Sequence, residues 1–154
     1  RGEISLIYAG GIRNGADVAK ALALGADAIS IGHSVLMALN CNKNIPESNY
    51  PEEIGVEPGY CYHCHTGRCP VGVATQDPKL RARLDPDEAA ERVYNFLHTL
   101  TIEAQLFARA CGKTNIHSLE PEDLAALTME ASAIAGVPLA GTNYTVGVED
   151  YHHL

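Results

Sequence analysis

The first forty residues alternate between short apolar runs and an amphipathic segment. Residues 5–9 and 26–31 are apolar runs of strand length that each end at a glycine, as buried strands do before a turn. Between them, residues 15–24 place apolar side chains on one helical face, with Asn14 as a candidate cap and Gly25 as a candidate stop. A further helical stretch follows the second strand. The order strand, helix, strand, helix predicts an α/β fold with parallel strands.

Two such strands cannot close a sheet. We therefore predict that residues 1–40 are the last two βα units of a larger sheet, either open and doubly wound or an eight-stranded barrel. The spacing Gly10-Gly11-x-x-x-Gly15 differs from the dinucleotide fingerprint and argues against the Rossmann alternative. Glycine amides at the carboxyl end of a strand can surround a phosphate, and Arg13 could add charge, although such glycines also simply make turns.

The rest of the chain predicts a long loop followed by helices. Residues 41–83 show little periodicity, and loops of that length are usually functional. A helix is predicted from Asp85 to about Gly112, and a shorter one from Glu120 to about Met129. The predicted segments are barrel units at 1–40, a cysteine-rich loop at 41–83, a helical extension at 84–135 and an extended surface tail at 136–154.

Composition limits the partners of this chain. Of its 154 residues, 46% are hydrophobic and the net charge is -8, so a folded core is expected and a nucleic-acid partner is not. The chain shows no apolar run long enough to span a membrane and no leader sequence. We therefore expect a cytoplasmic protein with no membrane partner.

Five cysteines form an odd set, at positions 41, 61, 64, 69 and 111. Three of them form the motif Cys61-x-x-Cys64-x-x-x-x-Cys69, which is followed by Pro70. Clustered thiols in a reducing compartment favour metal or cluster ligation over disulfides. Proline directly after the last ligand is typical of iron–sulfur loops.

Three interpretations of the cysteine motif stay open on spacing alone. The thiols could bind an iron–sulfur centre, with Cys41 as a further ligand. They could bind zinc, because His63 and His65 lie among them, although a second Cys-x-x-Cys pair is missing. They could also be unligated buried thiols. Cys111 stands apart, and we expect it to be a packed thiol.

Several motifs together resemble the flavin domain of glutamate synthases. That domain is a (β/α)8 barrel that holds FMN at its carboxyl face beside an iron–sulfur cluster of the three-iron type. The resemblance spans nearly the whole chain up to about residue 140. The motifs are Gly10-Gly11-Ile12-Arg13, Ala23-Leu24-Gly25-Ala26-Asp27-Ala28 with Ile31-Gly32, and Cys64-His65-Thr66-Gly67-Arg68-Cys69-Pro70-Val71-Gly72-Val73-Ala74-Thr75-Gln76-Asp77-Pro78.

The resemblance implies a fold and a set of FMN contacts. The fold is α/β, the carboxyl-terminal part of a (β/α)8 TIM barrel, comprising its last two βα units, followed by an iron–sulfur loop and a helical extension. The turns after the seventh and eighth strands would hold the FMN phosphate. Their residues here are Ala9, Gly10, Gly11 and Ile12 after the first strand, and Gly32 and His33 after the second.

The cluster ligands implied by the resemblance are Cys41, Cys64 and Cys69. Here 23 positions separate the first two, many more than in the family pattern, and the insertion adds Cys61. Cys61 could therefore replace Cys41 in a three-iron cluster, or all four thiols could hold a four-iron cluster.

The insertion and two later stretches, residues 119–124 and 137–142, resemble the glutamate-synthase-like subunit of N-methylglutamate synthase. This implies formation of N-methylglutamate from glutamate and methylamine through an imine that reduced flavin converts. Conventional glutamate synthesis from glutamine and 2-oxoglutarate is the alternative, and a structural zinc-binding assembly module is a third. The implied partners are the rest of the barrel, a glutaminase-like chain, other subunits and an amino-acid substrate. No catalytic residue is assigned, and the segment alone is expected to be inactive.

Overall fold

The computed structural model describes residues 4–41 and 60–147. Parts of the predicted cysteine loop and tail, residues 42–59 and 148–154, lie outside the described residues. The packing divides the chain into two units, one of residues 1–30 with 100–154 and one of residues 31–99. The four segments expected from the sequence stay a prediction.

The first unit contains a parallel pair of strands, β1 (Ile7–Ala9) and β2 (Ala28–Ser30), in which Tyr8 pairs with Ile29. This confirms the parallel arrangement expected from the alternating pattern. Both strands are shorter than predicted. One reason is local, because the Leu6 amide donates to Asp27 Oδ2 at 2.7 Å, so a side chain takes the place of a backbone partner before the ladder begins.

Helix α1 (Gly15–Ala23) connects the two strands, close to the predicted span. Asn14 is the cap, since its Oδ1 accepts from the Asp17 amide at 3.0 Å, and Gly25 adopts a φ of 104° after the helix. One face of α1 is buried against residues from the carboxyl-terminal part of the unit. That core consists of Ala19, Ala23, Ala108 and Leu119, with Ile116 and Leu124 packed against it.

The amino terminus of α1 lies directly against a longer helix in the same unit. A Cβ added to Gly15 would lie 2.2 Å from Glu103 Cβ and 2.5 Å from the Ala104 amide nitrogen. The Gly15 amide also donates to Glu103 Oε2 at 2.7 Å. Gly15 is therefore required by close approach, because a methyl group there would displace backbone.

The longer helix, α4, extends over Pro86–Ala110, close to the predicted span. Asp85 Oδ1 accepts from the amides of Asp87 at 3.0 Å and Glu88 at 3.2 Å, as expected for a helix cap. Residues 86–99 belong to the second unit and residues 100–110 to the first. The second unit also contains α2 (His33–Ala38), a 3₁₀ turn at His63–His65 and α3 (Pro78–Arg81).

The helix predicted from Glu120 to about Met129 is wrong. Only a 3₁₀ turn, Pro121–Asp123, forms there, and Leu124 is extended. The reciprocal bonds of Glu120 and Asp123 close that single turn. The next residues pair instead with a later segment, since the Ala126 amide donates to Pro138 O at 2.7 Å. Helix α5 (Met129–Ala135) then begins from its own cap, Thr128.

The segment after α5 does not lie wholly at the surface. Val137 is buried, and Leu139 forms a parallel bridge with Ala126. Ser132 is fully buried, and its hydroxyl donates to Val137 O at 2.7 Å while accepting from the Val146 amide at 3.1 Å. The buried hydroxyl of Ser132 therefore links Val137 to Val146. In the described parts of the chain, no helix is long and apolar enough to cross a membrane.

We predict that Gly15→Ala lowers the free energy of unfolding by about 2 kcal/mol, because overpacking against backbone costs about 1–3 kcal/mol. Denaturant unfolding of the complete protein measures this. Lys20→Ala on the exposed face of the same helix is the control and should cost about 0.5 kcal/mol or less. A Gly15→Ala variant as stable as the Lys20→Ala variant would contradict the close approach.

Candidate functional site

The turn after β1 contains two glycines whose positive φ angles are ones that only glycine adopts readily. Gly10 has a φ of 108° and Gly11 a φ of 68°, and a Cβ at either would meet no described atom within 4 Å. Glycine is therefore required by the backbone conformation and leaves open space above the turn. The turn lies at the carboxyl end of a parallel strand, where (β/α)8 barrels place their ligands. Ile12, the next residue, is buried and anchors it.

The amides that follow this turn already have protein acceptors. The Arg13 amide donates to Asp17 Oδ2 at 3.1 Å, Gly15 to Glu103, and Asp17 to Asn14 Oδ1. The start of α1 is therefore capped by the chain itself. A phosphate at this edge would bind upstream, at the amides of Gly10 and Gly11.

Arg13 and Asp17 form an ion pair beside the turn. Arg13 Nε lies 3.1 Å from Asp17 Oδ2, and Lys20 Nζ lies 3.1 Å from the other carboxylate oxygen. The hydrogen bond from Arg13 lowers the pKa of Asp17 from 3.8 to about 2, and the same pair raises the pKa of Arg13. Arg13 remains largely exposed, so its guanidinium is fixed at one edge and open to solvent at the other.

The other two predicted FMN residues, Gly32 and His33, belong to the second unit. Gly32 caps α2 without a side chain, and its carbonyl accepts from the amides of Val35 and Leu36 at 3.1 Å. His33 is the first residue of α2 and is exposed.

Cys41 is held by the chain reversal that ends α2. Its amide donates to Leu36 O at 3.0 Å, while the Asn40 amide donates to Met37 O at 2.9 Å. Asn40 adopts a φ of 75°, so the two bonds form the Schellman arrangement with asparagine in the left-handed position. Arg92 Nε donates to Ala38 O at 3.1 Å and ties this end to α4. Cys41 therefore has a fixed backbone position.

Four thiols share one neighbourhood within the second unit. Burial raises the pKa of the Cys41 thiol, and the nearby thiols of Cys64, Cys69 and Cys61 raise it further. Cys41 therefore lies near enough to the three cysteines of the motif to interact with them electrostatically. Cys69 is buried and Cys64 is exposed. Thiolates are the usual ligands of iron–sulfur clusters, so the chemistry of this donor set fits such a cluster.

The loop around Cys69 is stabilised by its own short polar side chains. The Thr75 hydroxyl donates to the Gly67 carbonyl and accepts from the Asp77 amide. Arg83 Nη1 donates to Pro70 O at 2.9 Å. A Cβ at Gly72 would lie 2.7 Å from Leu80 O, so the loop passes close to α3. These contacts fix the backbone that carries Cys69.

The described side chains do not converge on a single ion. Within residues 4–41 and 60–147, no three His, Cys, Asp or Glu side chains are placed to hold one metal ion. His63 Nδ1 lies 3.4 Å from the Thr66 hydroxyl, and that hydroxyl donates to His63 O at 2.9 Å. Cys111, expected to be a packed thiol, is exposed just beyond the end of α4; that expectation was wrong, because α4 ends one residue earlier.

Sequence reasoning missed three residues that shape these sites. The sequence predicted no site role for Asp17, Glu103 or Asn40. Asp17 lies four residues after Arg13, so helical spacing could have indicated their ion pair. Glu103 lies 88 residues from Gly15, and no local pattern reveals such a contact.

Two family models match the chain. Residues 1–44 match the FMN-dependent dehydrogenase model, and residues 53–114 match the conserved region in glutamate synthase. The first match implies that this region is part of a (β/α)8 barrel and supports FMN as the cofactor. The double-glycine turn lies in the first match, and Cys61, Cys64 and Cys69 lie in the second.

Curated relatives carry glutamate synthase names. The chain is 53% identical over 145 residues to a "Glutamate synthase large subunit-like protein" of Rhizobium meliloti, covering 94% of this chain and 33% of the relative. It is 43% identical over 119 residues to an "Archaeal glutamate synthase [NADPH]" of Methanocaldococcus jannaschii, covering 77% and 20%. An "Archaeal-type glutamate synthase [NADPH]" of Dehalococcoides mccartyi is 37% identical over 145 residues, covering 92% and 26%. The chain spans a third or less of the length of these relatives.

We predict that Asp17→Asn lowers stability at neutral pH and flattens its acid dependence. Because the pKa of Asp17 is below its ordinary value in the folded protein, its contribution is present above about pH 4 and is lost as the pH falls toward 2. A shift of this size corresponds to about 2 kcal/mol at most. Denaturant unfolding at pH 7, 4 and 2.5 measures it, with the exposed Glu122→Gln as the control. An unchanged acid dependence in Asp17→Asn would contradict the ion pair.

Proposed function

We propose that this chain is the FMN-phosphate and iron–sulfur part of a glutamate-synthase-type oxidoreductase. The observation that carries the proposal is the motif of Cys61, Cys64 and Cys69, which lies within the glutamate synthase match; all three thiols act electrostatically on Cys41. Cys41, on the other side of the long insertion, lies in the FMN-dependent dehydrogenase match. A thiol of the first match would thus join the thiols of the second in one cluster.

The proposed flavin contact in the first unit is the double-glycine turn. The amides of Gly10 and Gly11 would bind the FMN phosphate, with Ala9 and Ile12 completing the turn. Arg13 would add a positive charge that Asp17 keeps in place. Gly32 and His33, which the resemblance implies, remain proposed FMN contacts.

The proposed cluster ligands are Cys41, Cys64 and Cys69, with Cys61 as a replacement for Cys41 or as a fourth ligand. Three thiols would hold a three-iron cluster of the 3Fe-4S type, and four would hold a four-iron cluster. The loop contacts of Thr75 and Arg83 would keep the ligand backbone rigid when the charge of the centre changes.

Bound FMN and an iron–sulfur centre would supply hydride and single-electron chemistry, while the protein supplies position and charge. The proposed net reaction converts glutamate and methylamine into N-methylglutamate and ammonia and is redox-neutral. The two electrons removed when the glutamate amine is oxidised to an imine would return to the five-carbon skeleton after methylamine has replaced ammonia in that imine. Conventional reduction of glutamine and 2-oxoglutarate to two glutamates is the second candidate, favoured by relatives named glutamate synthase.

The proposed partners follow from the short span of the chain relative to its relatives. They are the remainder of the barrel, glutaminase-like and other subunits of a hetero-oligomeric complex, and an amino-acid substrate. The proposed location is the cytoplasm. The described chain holds no residue that we assign to acid–base chemistry, and the segment alone is expected to be inactive.

We predict that Cys64→Ser removes most of the iron and acid-labile sulfide from the complete protein purified anaerobically. Cys64 is exposed, so its replacement changes ligation with little loss of packing, whereas Cys69→Ser also disturbs a buried position. If the centre has three irons, one of Cys41→Ser and Cys61→Ser loses the cluster and the other retains it. If it has four irons, both change the iron content.

Cys111→Ser is the matched control, because Cys111 is an exposed thiol outside the four-cysteine neighbourhood. It should retain the iron and sulfide of the unmodified protein. Stoichiometric zinc without sulfide in the unmodified protein would support the structural zinc module instead. A full iron–sulfur content in Cys64→Ser would also contradict the proposed ligands.

The two reactions are separated by assaying the complete complex with two substrate pairs. With glutamate and methylamine, we predict N-methylglutamate and an equal amount of ammonia, measured by mass spectrometry and an ammonia assay. With glutamine, 2-oxoglutarate and a chemical reductant, we predict much less glutamate. The reverse preference would identify conventional glutamate synthesis, and no product from either pair would contradict the proposed enzyme class.

A further inference from the structure

Glu103 is the one carboxylate of α4 seen to bond the start of α1. Its Oε2 accepts from the Gly15 amide at 2.7 Å, across 88 positions of sequence and at a partly buried site. Gly15 lies four residues after Gly11, so this bond fixes the downstream end of the double-glycine turn. The upstream end is fixed by the β1–β2 ladder, in which Ala9 pairs with Ser30.

The close packing at Gly15 makes this connection rigid. A Cβ on Gly15 would lie 2.2 Å from Glu103 Cβ and 2.7 Å from Leu100 O, so the two backbones are already in contact. The buried side chain of Ile12 fixes the middle of the turn. Glu103 is thus connected to Gly10 and Gly11 through Gly15 and the residues between them.

We infer that Glu103 is a positioning residue for the FMN phosphate, acting through Gly15; this inference rests on the proposed FMN site. Glu103 orients the amides of Gly10 and Gly11 by holding the start of α1 against α4. Charge alone predicts the opposite effect, because a carboxylate near a phosphate dianion repels it. The two effects therefore have opposite signs and can be separated by substitution.

The test measures binding of FMN and of riboflavin, which lacks the phosphate, to the flavin-free complete protein. Glu103→Ala loses the acceptor for Gly15. We expect its FMN affinity to fall about tenfold, equivalent to about 1.4 kcal/mol, and its riboflavin affinity to change less than twofold. Glu103→Gln keeps an acceptor oxygen without the charge, and we expect its FMN affinity to stay within about threefold of the unmodified value.

Glu91→Ala is the control, since it removes an exposed carboxylate from the same helix, and it should leave both affinities unchanged. Equal losses of FMN and riboflavin affinity in Glu103→Ala would indicate general damage and overturn the inference. So would FMN binding in Glu103→Gln that is tighter by more than about threefold, or unchanged FMN binding in Glu103→Ala. If Glu103→Ala does not fold, Glu103→Gln still decides between position and charge.

An unmodified protein that binds neither flavin would overturn the proposed function, and this inference with it. An unmodified protein that binds FMN while the Glu103 variants behave like Glu91→Ala would overturn the inference alone.

Discussion

The contact between Gly15 and the long helix is the constraint on which the first unit depends. A glycine with backbone atoms 2.5–2.7 Å from the position of a missing Cβ brings two helices closer than side chains allow. The same contact places Glu103 against the amide that begins α1. It therefore lies between the core formed with Ala108 and Leu119, the capped start of α1, and the double-glycine turn that precedes it.

In the second unit, Cys41 lies near cysteines that are distant from it in sequence. The position of Cys41 depends on Asn40, which adopts a left-handed conformation at the end of α2. Cys69 lies in a loop where the Thr75 hydroxyl and the Arg83 guanidinium donate to backbone carbonyls. Local hydrogen bonds thus position the backbone at Cys41 and around Cys69. Such a scaffold suits a redox centre, because a rigid ligand shell changes little between oxidation states.

The sequence predicted what local chemistry determines. The parallel strands, the Asn14 and Asp85 caps and the left-handed Gly25 were all identified correctly, since each depends on neighbouring residues. The helix expected after Glu120 failed because Ala126 finds a backbone partner at Pro138, which periodicity does not show. The Glu103–Gly15 bond could not be predicted either, because it joins residues 88 positions apart. The candidate ligands could be named from the motif, whereas the electrostatic interaction of three of them with Cys41 is evident only in the fold.

The most direct test of the central claim is an anaerobic redox titration of the complete protein, followed by electron paramagnetic resonance and flavin absorbance. We predict an iron–sulfur signal in either the oxidised or the reduced protein, together with reversible bleaching of bound FMN. A flavin that bleaches while no iron–sulfur signal is present at any potential would contradict the proposed cluster, because the four thiols would then hold no redox centre.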